Sequence, residues 1–339
     1  MQLFVVVFLS LFVGAVAILE QGNVCEDLRK VDKSTLRLPE HYAHFALPWV
    51  RYKNSQVYES PSLTANWNTV REFRVQGLEE SFHSISEFLD ESSCLWLIWG
   101  GSVRDLILGQ SPTDIDATVT CNPHRLKRLC KMHFGEEKCN RPSRGSQKLV
   151  IGEWERVGDE KTVEPLDIAH WNTSFEVFAS RWEFTPNTLS LYVDKSEEQE
   201  RVLLIDVSGW GVEDVCEKRV RIPSWKRYWR SWSEENSVVK LYRFWKLRSR
   251  GFEAPDDEVN FIVQTTKEHF DSDMFAKFIC HNVLGGELVH ENECSVSRVS
   301  SSNAKLDFLD SMEKDFVAVG ESTFFRENVM SSVENIVMT

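Results

Sequence analysis

The 339-residue sequence predicts an α/β fold. Three observations predict it. Residues 95–99, Leu-Trp-Leu-Ile-Trp, form an apolar run of the length and composition of a buried strand. Gly100-Gly101 then breaks the strand, and a short helix over Val103–Leu108 is expected to end at Gly109, which suits a left-handed C-terminal residue. After the turn Ser111-Pro112-Thr113, Asp114-Ile115-Asp116 opens a second strand. Side chains alternate along a strand, so Ile115 is directed to the core while both carboxylates share the other face.

The remaining elements follow in order. Residues 18–77 are polar and aromatic without a clear period, and read as an irregular extension. Leu78, Phe82, Ile85, Phe88 and Leu89 recur at helical spacing and predict a helix packed on the first strand. Ser102 stands where a helix N-cap is wanted. Residues 121–134 predict a basic helix with Pro123 near its start, and residues 135–147 a loop. Lys148–Ile151 and Leu166–Ala169 are the next strands. Val238, Leu241, Tyr242 and Trp245 return to helical spacing.

Two adjacent carboxylates on one face repel each other unless a cation lies between them. Asp114 and Asp116 are therefore metal-site candidates, with Mg²⁺ the natural occupant because the donors are hard oxygens. The Gly-Gly turn and helix start offer backbone N–H groups to a phosphate. A phosphate seat beside metal carboxylates reads as phosphoryl or nucleotidyl transfer.

The run GGSVRDLILG followed by DID resembles the signature of class II tRNA nucleotidyltransferases and bacterial-type poly(A) polymerases. The resemblance extends over roughly residues 94–222. It implies a polymerase-β-like nucleotidyltransferase head with a mixed sheet, followed by a helical neck-like segment. It also implies a two-metal site on Asp114 and Asp116, taking Mg²⁺ or Mn²⁺, with Asp167 as the third, assisting carboxylate. Gly100, Gly101 and Arg104 would hold a nucleoside triphosphate, and Asp105 would fix the loop. Residues 181–188, Arg-Trp-Glu-Phe-Thr-Pro-Asn-Thr, are similar to a motif that contacts the nucleotide sugar and phosphates, which assigns Arg181 and Asn187 to that role. Trp182 stands where the family pattern has arginine, and Glu183 where it has aspartate. Residues 203–214 resemble the Asp…Gly-Gly-x-x-Asp segment. Aligning Arg243-Phe244 with the family's Arg-Phe puts Glu234 and Ser237 over the base-reading Asp and Arg. RNA is the acceptor that the resemblance implies; the alternative is a non-catalytic module that binds nucleotide or RNA.

Residues 1–17 carry an apolar core and end in Ala15-Val16-Ala17, the pattern of a secretory signal, leaving no stable membrane insertion after cleavage. Eight cysteines are an even number, and in an exported chain they pair as disulfides. Asn172-Thr173-Ser174 is a glycosylation sequon of the same export route. A secreted or secretory-lumen location is expected. The net charge of −13 argues against uniform attraction to nucleic acid. Its distribution is uneven: residues 217–250 hold 11 Lys/Arg against 3 acidic residues, and residues 251–339 hold 6 against 17. The expected organisation is a signal (1–17), an extension (18–77), a head (78–222) and a helical neck-like region with an acidic end (223–339).

Overall fold

A computed structural model describes residues 23–36, 55–140, 148–153, 162–170, 182–195, 200–223, 234–269, 287–290, 293–295 and 302–331. Among them, the central feature is a nine-stranded mixed sheet. Its strands are β1 (Arg29–Lys30), β2 (Gln56–Glu59), β3 (Trp96–Trp99), β4 (Asp116–Val119), β5 (Cys139–Asn140), β6 (Lys148–Ile151), β7 (Leu166–His170), β8 (Leu189–Asp194) and β9 (Arg201–Asp206). Their order across the sheet is β1-β2-β9-β8-β3-β4-β7-β6-β5. Only the β4–β7 pair of this sheet is parallel.

The apolar run at β3 is explained by burial on both faces. Trp96 and Ile98 enter the larger core, beneath α1 (Pro61–Arg71), α2 (Phe82–Glu91), α3 (Gly101–Ile107) and α4 (Pro123–Phe134). Leu95, Leu97 and Trp99 enter a second core with Val57, Tyr192, Leu203 and Ile205. β9 divides in the same way, Val202 and Leu204 to one side and Leu203 and Ile205 to the other. α2 buries Phe82, Ile85, Phe88 and Leu89 as its spacing predicts, with Phe82 edge-on to Trp67. It begins four residues later than expected, because Gly77 (φ +79°) turns the chain and Leu78 is buried ahead of the helix.

The extension expected over residues 18–77 is not irregular where it is described. β1 and β2 join the head sheet through β9, and α1 packs on its core. Cys25 and Cys216 close a disulfide across 191 residues, fastening this segment to α5 (Gly211–Cys216). Cys94–Cys121 joins the start of β3 to the end of β4, at one end of that antiparallel pair, and Cys130–Cys139 ties α4 to β5. Cys280 and the sequon at Asn172 lie outside the described residues.

Beyond the sheet, α6 (Glu234–Ser249), α7 (Asp256–His269) and α8 (Ser302–Ala318) surround a third core that holds Phe244, Trp245, Ile262, Phe308, Met312 and Phe316. The helical spacing at Leu241 and Trp245 is thus a packing stripe. A short antiparallel pair, Glu287–His290 with Glu293–Ser295, interrupts the helical region. Arg248 donates to both oxygens of buried Asp315, at 2.6 and 3.0 Å, so one acidic residue of the terminal region serves inside the fold. Among the described residues no helix is long and apolar enough to cross a membrane.

Replacing Cys25 and Cys216 together by serine removes the cross-link over the longest loop. We expect unfolding free energy to fall by about 2–5 kcal/mol, read by chemical denaturation of the oxidised protein.

Candidate active site

Backbone pairing builds the site. Asp116 stands opposite Trp99 on one side and opposite Asp167 on the other. Parallel neighbours in register point their side chains to the same face, so the carboxylates of Asp116 and Asp167 lie side by side. Asp114 precedes β4, which begins at Asp116 and not at Asp114 as the sequence suggested. The alternation survives this difference: Ile115 is buried, and both aspartates are exposed. Glu164, just ahead of β7, is a fourth acid that the sequence reading missed. Its backbone N–H donates to the Thr113 carbonyl, and its carboxyl is pushed up by burial, with the Asp114 and Asp116 charges adding to it. Its only signal was its place three residues before Asp167.

The Asp116 carboxyl is raised from its ordinary 3.8 to about 6, first by desolvation, then by the charges of Asp114 and Asp167. Solvent nevertheless reaches the side chain. Exposure together with desolvation is what a concave cleft produces, because the surrounding protein displaces bulk water without closing the opening. Lys246 on α6 has the same pair of properties: it is exposed, yet desolvation pulls its amine down. The Lys246 amine responds to Asp114 and Asp105, and Asp116 responds to Arg243. The cleft therefore lies between the acidic strand ends and a row of cations, Arg243 and Lys246 on α6 and Arg250 just past its end, which only tertiary packing brings to the head.

The phosphate-loop residues are more internal than expected. Gly100 adopts φ +72° and ψ −125°, and a Cβ there would meet the Trp182 ring at 3.2 Å, so glycine is required. That indole stacks on Trp99, with ring centroids 5.7 Å apart. Gly100, not Ser102, caps α3, and the Ser102 hydroxyl donates to the Trp99 carbonyl. The Gly100 N–H donates to the Leu189 carbonyl at 3.1 Å and is not available to a phosphate. The Arg104 guanidinium is buried, donating to Asp105 Oδ1 at 2.9 and 3.1 Å and to Asn187 Oδ1 at 3.0 Å. Arg250 reaches the same Asp105 oxygen at 3.1 Å. Asp105 thus accepts from both arginines at this turn. Arg104 and Asn187 are indeed brought together, but they bond each other. Arg181 lies outside the described residues.

The segment that follows joins head to helices. Glu183 is 4% exposed and accepts from Arg243 with both oxygens, at 3.0 and 3.1 Å. Phe184 enters the helical core against Phe244. The Thr185 hydroxyl donates to Asp214, which also takes two bonds from Arg221, at 2.6 and 2.9 Å. Of the aromatics in the basic segment, Phe244 and Trp245 are core, and Tyr242 packs on Phe308. Trp225, Tyr228, Trp229 and Trp232 lie outside the described residues.

The chemistry of the donor set suits a hard divalent cation. Desolvation raises Asp116 first, and the repulsion from Asp114 and Asp167 that adds to it is what such a cation relieves. Among the described residues, no group of three or more His, Cys, Asp or Glu is arranged to hold a metal ion. Asp114 and Asp116 supply two carboxylates, while Lys148 donates to Asp167 at 2.8 Å.

Three consequences are measurable. Because the Asp116 value in the folded chain lies above the ordinary one, the fold binds the extra proton, and stability falls as pH rises from about 4 to about 6. Cation binding needs the ionised form, so affinity for Mn²⁺ should drop about tenfold per pH unit below about 6. Asp114→Asn removes a raising charge and should move the Asp116 titration down, as read by carboxyl ¹³C resonances; an unmoved titration would disprove the coupling.

Residues 96–221 match the Poly A polymerase head domain. Solved structures resemble the chain at low identity. A CCA-adding enzyme with ATP is 17% identical, covering 70% of this chain and 51% of its own, with a TM-score of 0.48. The Thermotoga maritima CCA-adding enzyme complexed with tRNA is 17% identical, covering 86% and 55%, also at 0.48. A tRNA nucleotidyltransferase complexed with a primer tRNA and an incoming ATP analog is 17% identical, covering 70% and 62%, at 0.46. The chain spans about half the length of the first two of these structures. No curated protein matches it. The carboxylate row and the glycine loop both lie inside the matched residues 96–221.

Proposed function

We propose that this chain is a divalent-cation-dependent nucleotidyltransferase in which the 3′ hydroxyl of an RNA attacks the α-phosphate of a nucleoside triphosphate and pyrophosphate leaves. The pairing of Asp116 with Asp167, beside Asp114 and inside a matched head domain, is the observation that carries this reading. Asp114 and Asp116 would hold Mg²⁺, or Mn²⁺ in its place, and the bound ion would supply charge neutralisation at the phosphates. Asp167 takes the proton of the acceptor hydroxyl once Lys148 yields its oxygen. Gly101 keeps the loop clear of side chains where phosphates approach. Arg104 orients Asp105 and Asn187, while Lys246 and Arg250 face the triphosphate across the cleft, a role the sequence reading gave to Arg104. Asn187 and Arg181 serve the sugar–phosphate end. The three cystine pairs among the described residues support an exported location, secreted or lumenal.

The test uses the oxidised protein with Mg²⁺ or Mn²⁺, each labelled nucleoside triphosphate and a mixed RNA pool. Label should pass to RNA with the wild type and fall to background in Asp114→Ala/Asp116→Ala. Asp167→Asn should lose about 10²–10⁴-fold in rate. Lys246→Ala should raise KM for the triphosphate about tenfold with a smaller change in kcat, because it removes ground-state binding. The Lys148–Asp167 ion pair favours a second reading, a non-catalytic nucleotide- or RNA-binding module. Absence of transfer, with binding retained in the double mutant, would establish it.

A further inference from the structure

One row of paired residues crosses the sheet. Gln56 stands opposite Asp206, and Asp206 opposite Leu189; next to Leu189, Ser190 continues the row through Trp99 and Asp116 to Asp167. Gln56 and Asp116 therefore open at the same end of the sheet. Four strand steps separate them, about 19 Å at ordinary strand spacing. At the Gln56 end lies a cavity of about 810 Å³, between β1–β2 and the turn Ser208–Trp210.

Its walls combine an aromatic platform with cations. Trp210 lines the cavity and is 52% exposed, an unusual state for so large an apolar ring. The Arg221 guanidinium sits 4.6 Å from its ring centroid and is itself held by Asp214, so one side of the ring is pinned. Lys30 is exposed in the same lining, and Lys33 stands beside it, its amine donating to the Ser55 carbonyl at 2.7 Å and hydroxyl at 3.3 Å. The Tyr58 hydroxyl donates to Gln56 Oε1 at 2.7 Å, which directs the amide's donors to other partners. The two carboxylates of the lining are engaged, Glu213 with Arg219 and Asp32 with the Ser34 amide.

We propose that this cavity is a second nucleotide site, with a base stacked on Trp210, its edge met by the Gln56 amide and its phosphate held by Lys30 and Lys33. Stacking on an aromatic side chain with cationic contact to the phosphate is how single-stranded nucleic acid is held without sequence preference. The ligand chemistry is a nucleoside monophosphate unit, either free or within an RNA strand. The site shares no residue with the carboxylate cleft and does not depend on transfer.

The experiment uses the full oxidised chain carrying Asp114→Ala/Asp116→Ala, in EDTA, so that the cleft and its metal do not contribute. Adenosine 5′-monophosphate is titrated by calorimetry, and a fluorescein-labelled ten-nucleotide oligoadenylate by anisotropy. At least one probe should bind saturably, and Trp210→Ala and Lys30→Glu should each weaken it at least tenfold. Trp210→Phe should restore most of the loss, which a merely unfolded turn would not show. Binding of the mononucleotide identifies a free nucleotide as the source, and binding of the oligonucleotide alone identifies a strand. No binding of either probe, or binding that both Trp210→Ala and Lys30→Glu leave intact, overturns the proposal.

Discussion

Burial of β3 on both faces is the constraint on which the rest of the structure depends. Its side chains alternate between two cores, so neither face is left to solvent and the strand is fixed at the middle of the sheet. A slip of one residue would exchange the two sets and place Trp99 in the wrong core. With β3 fixed, the pairing of Trp99 with Asp116 sets where β4 begins, and the parallel pairing of β4 with β7 sets Asp167 beside Asp116. Like charges are thus forced together by hydrogen bonds and hydrophobic burial far from the charges themselves. The Asp116 carboxyl is raised first by desolvation at that place and then by the neighbouring charges of Asp114 and Asp167.

The same strand ends in the glycine that turns the chain into α3. Gly100 must take a conformation closed to other residues, because Trp182 stacks on Trp99 directly over it. Trp182 is followed by Glu183 and Phe184, which carry the chain to the helical region: one by an ion pair with Arg243, the other by entering its core. This connection brings the cationic stripe of α6 to face Asp114 and Asp105. An acidic strand end and a basic helix then form opposite walls of one cleft, although the chain as a whole is strongly acidic. The local sign of charge at the cleft is decided by packing, and net charge says little about it.

Much of the head could be read from residue order. The β3–α3–β4 unit, the α2 stripe, β6, β7 and the three carboxylates are local patterns, fixed by periodicities of two and about 3.6 and by glycine chemistry. The parts that were misread are those in which a partner remote in sequence decides. Residues 55–75 have no amphipathic signature as an isolated stretch, yet β9 supplies hydrogen bonds to β2 and the sheet core takes Leu63 and Trp67. Ser102 has the side chain of a cap, but the Trp99 carbonyl takes its hydroxyl. Arg104 has the charge for a phosphate, but Asp105 and Asn187 surround it first.

By itself the sequence determined the local pattern: paired carboxylates behind a glycine turn, on short buried strands, in a chain with an even number of cysteines. Those features depend on neighbours within a few residues, and short-range sterics leave them little choice. Only the tertiary structure decided which cations meet those carboxylates, which glycine N–H is already bonded, and which cysteines join. Each of these is a pairing across tens to hundreds of residues, as with Cys25 and Cys216, separated by 191. Their geometry is set by the order of strands in the sheet, and strand order is a property of the packed whole that no local pattern contains.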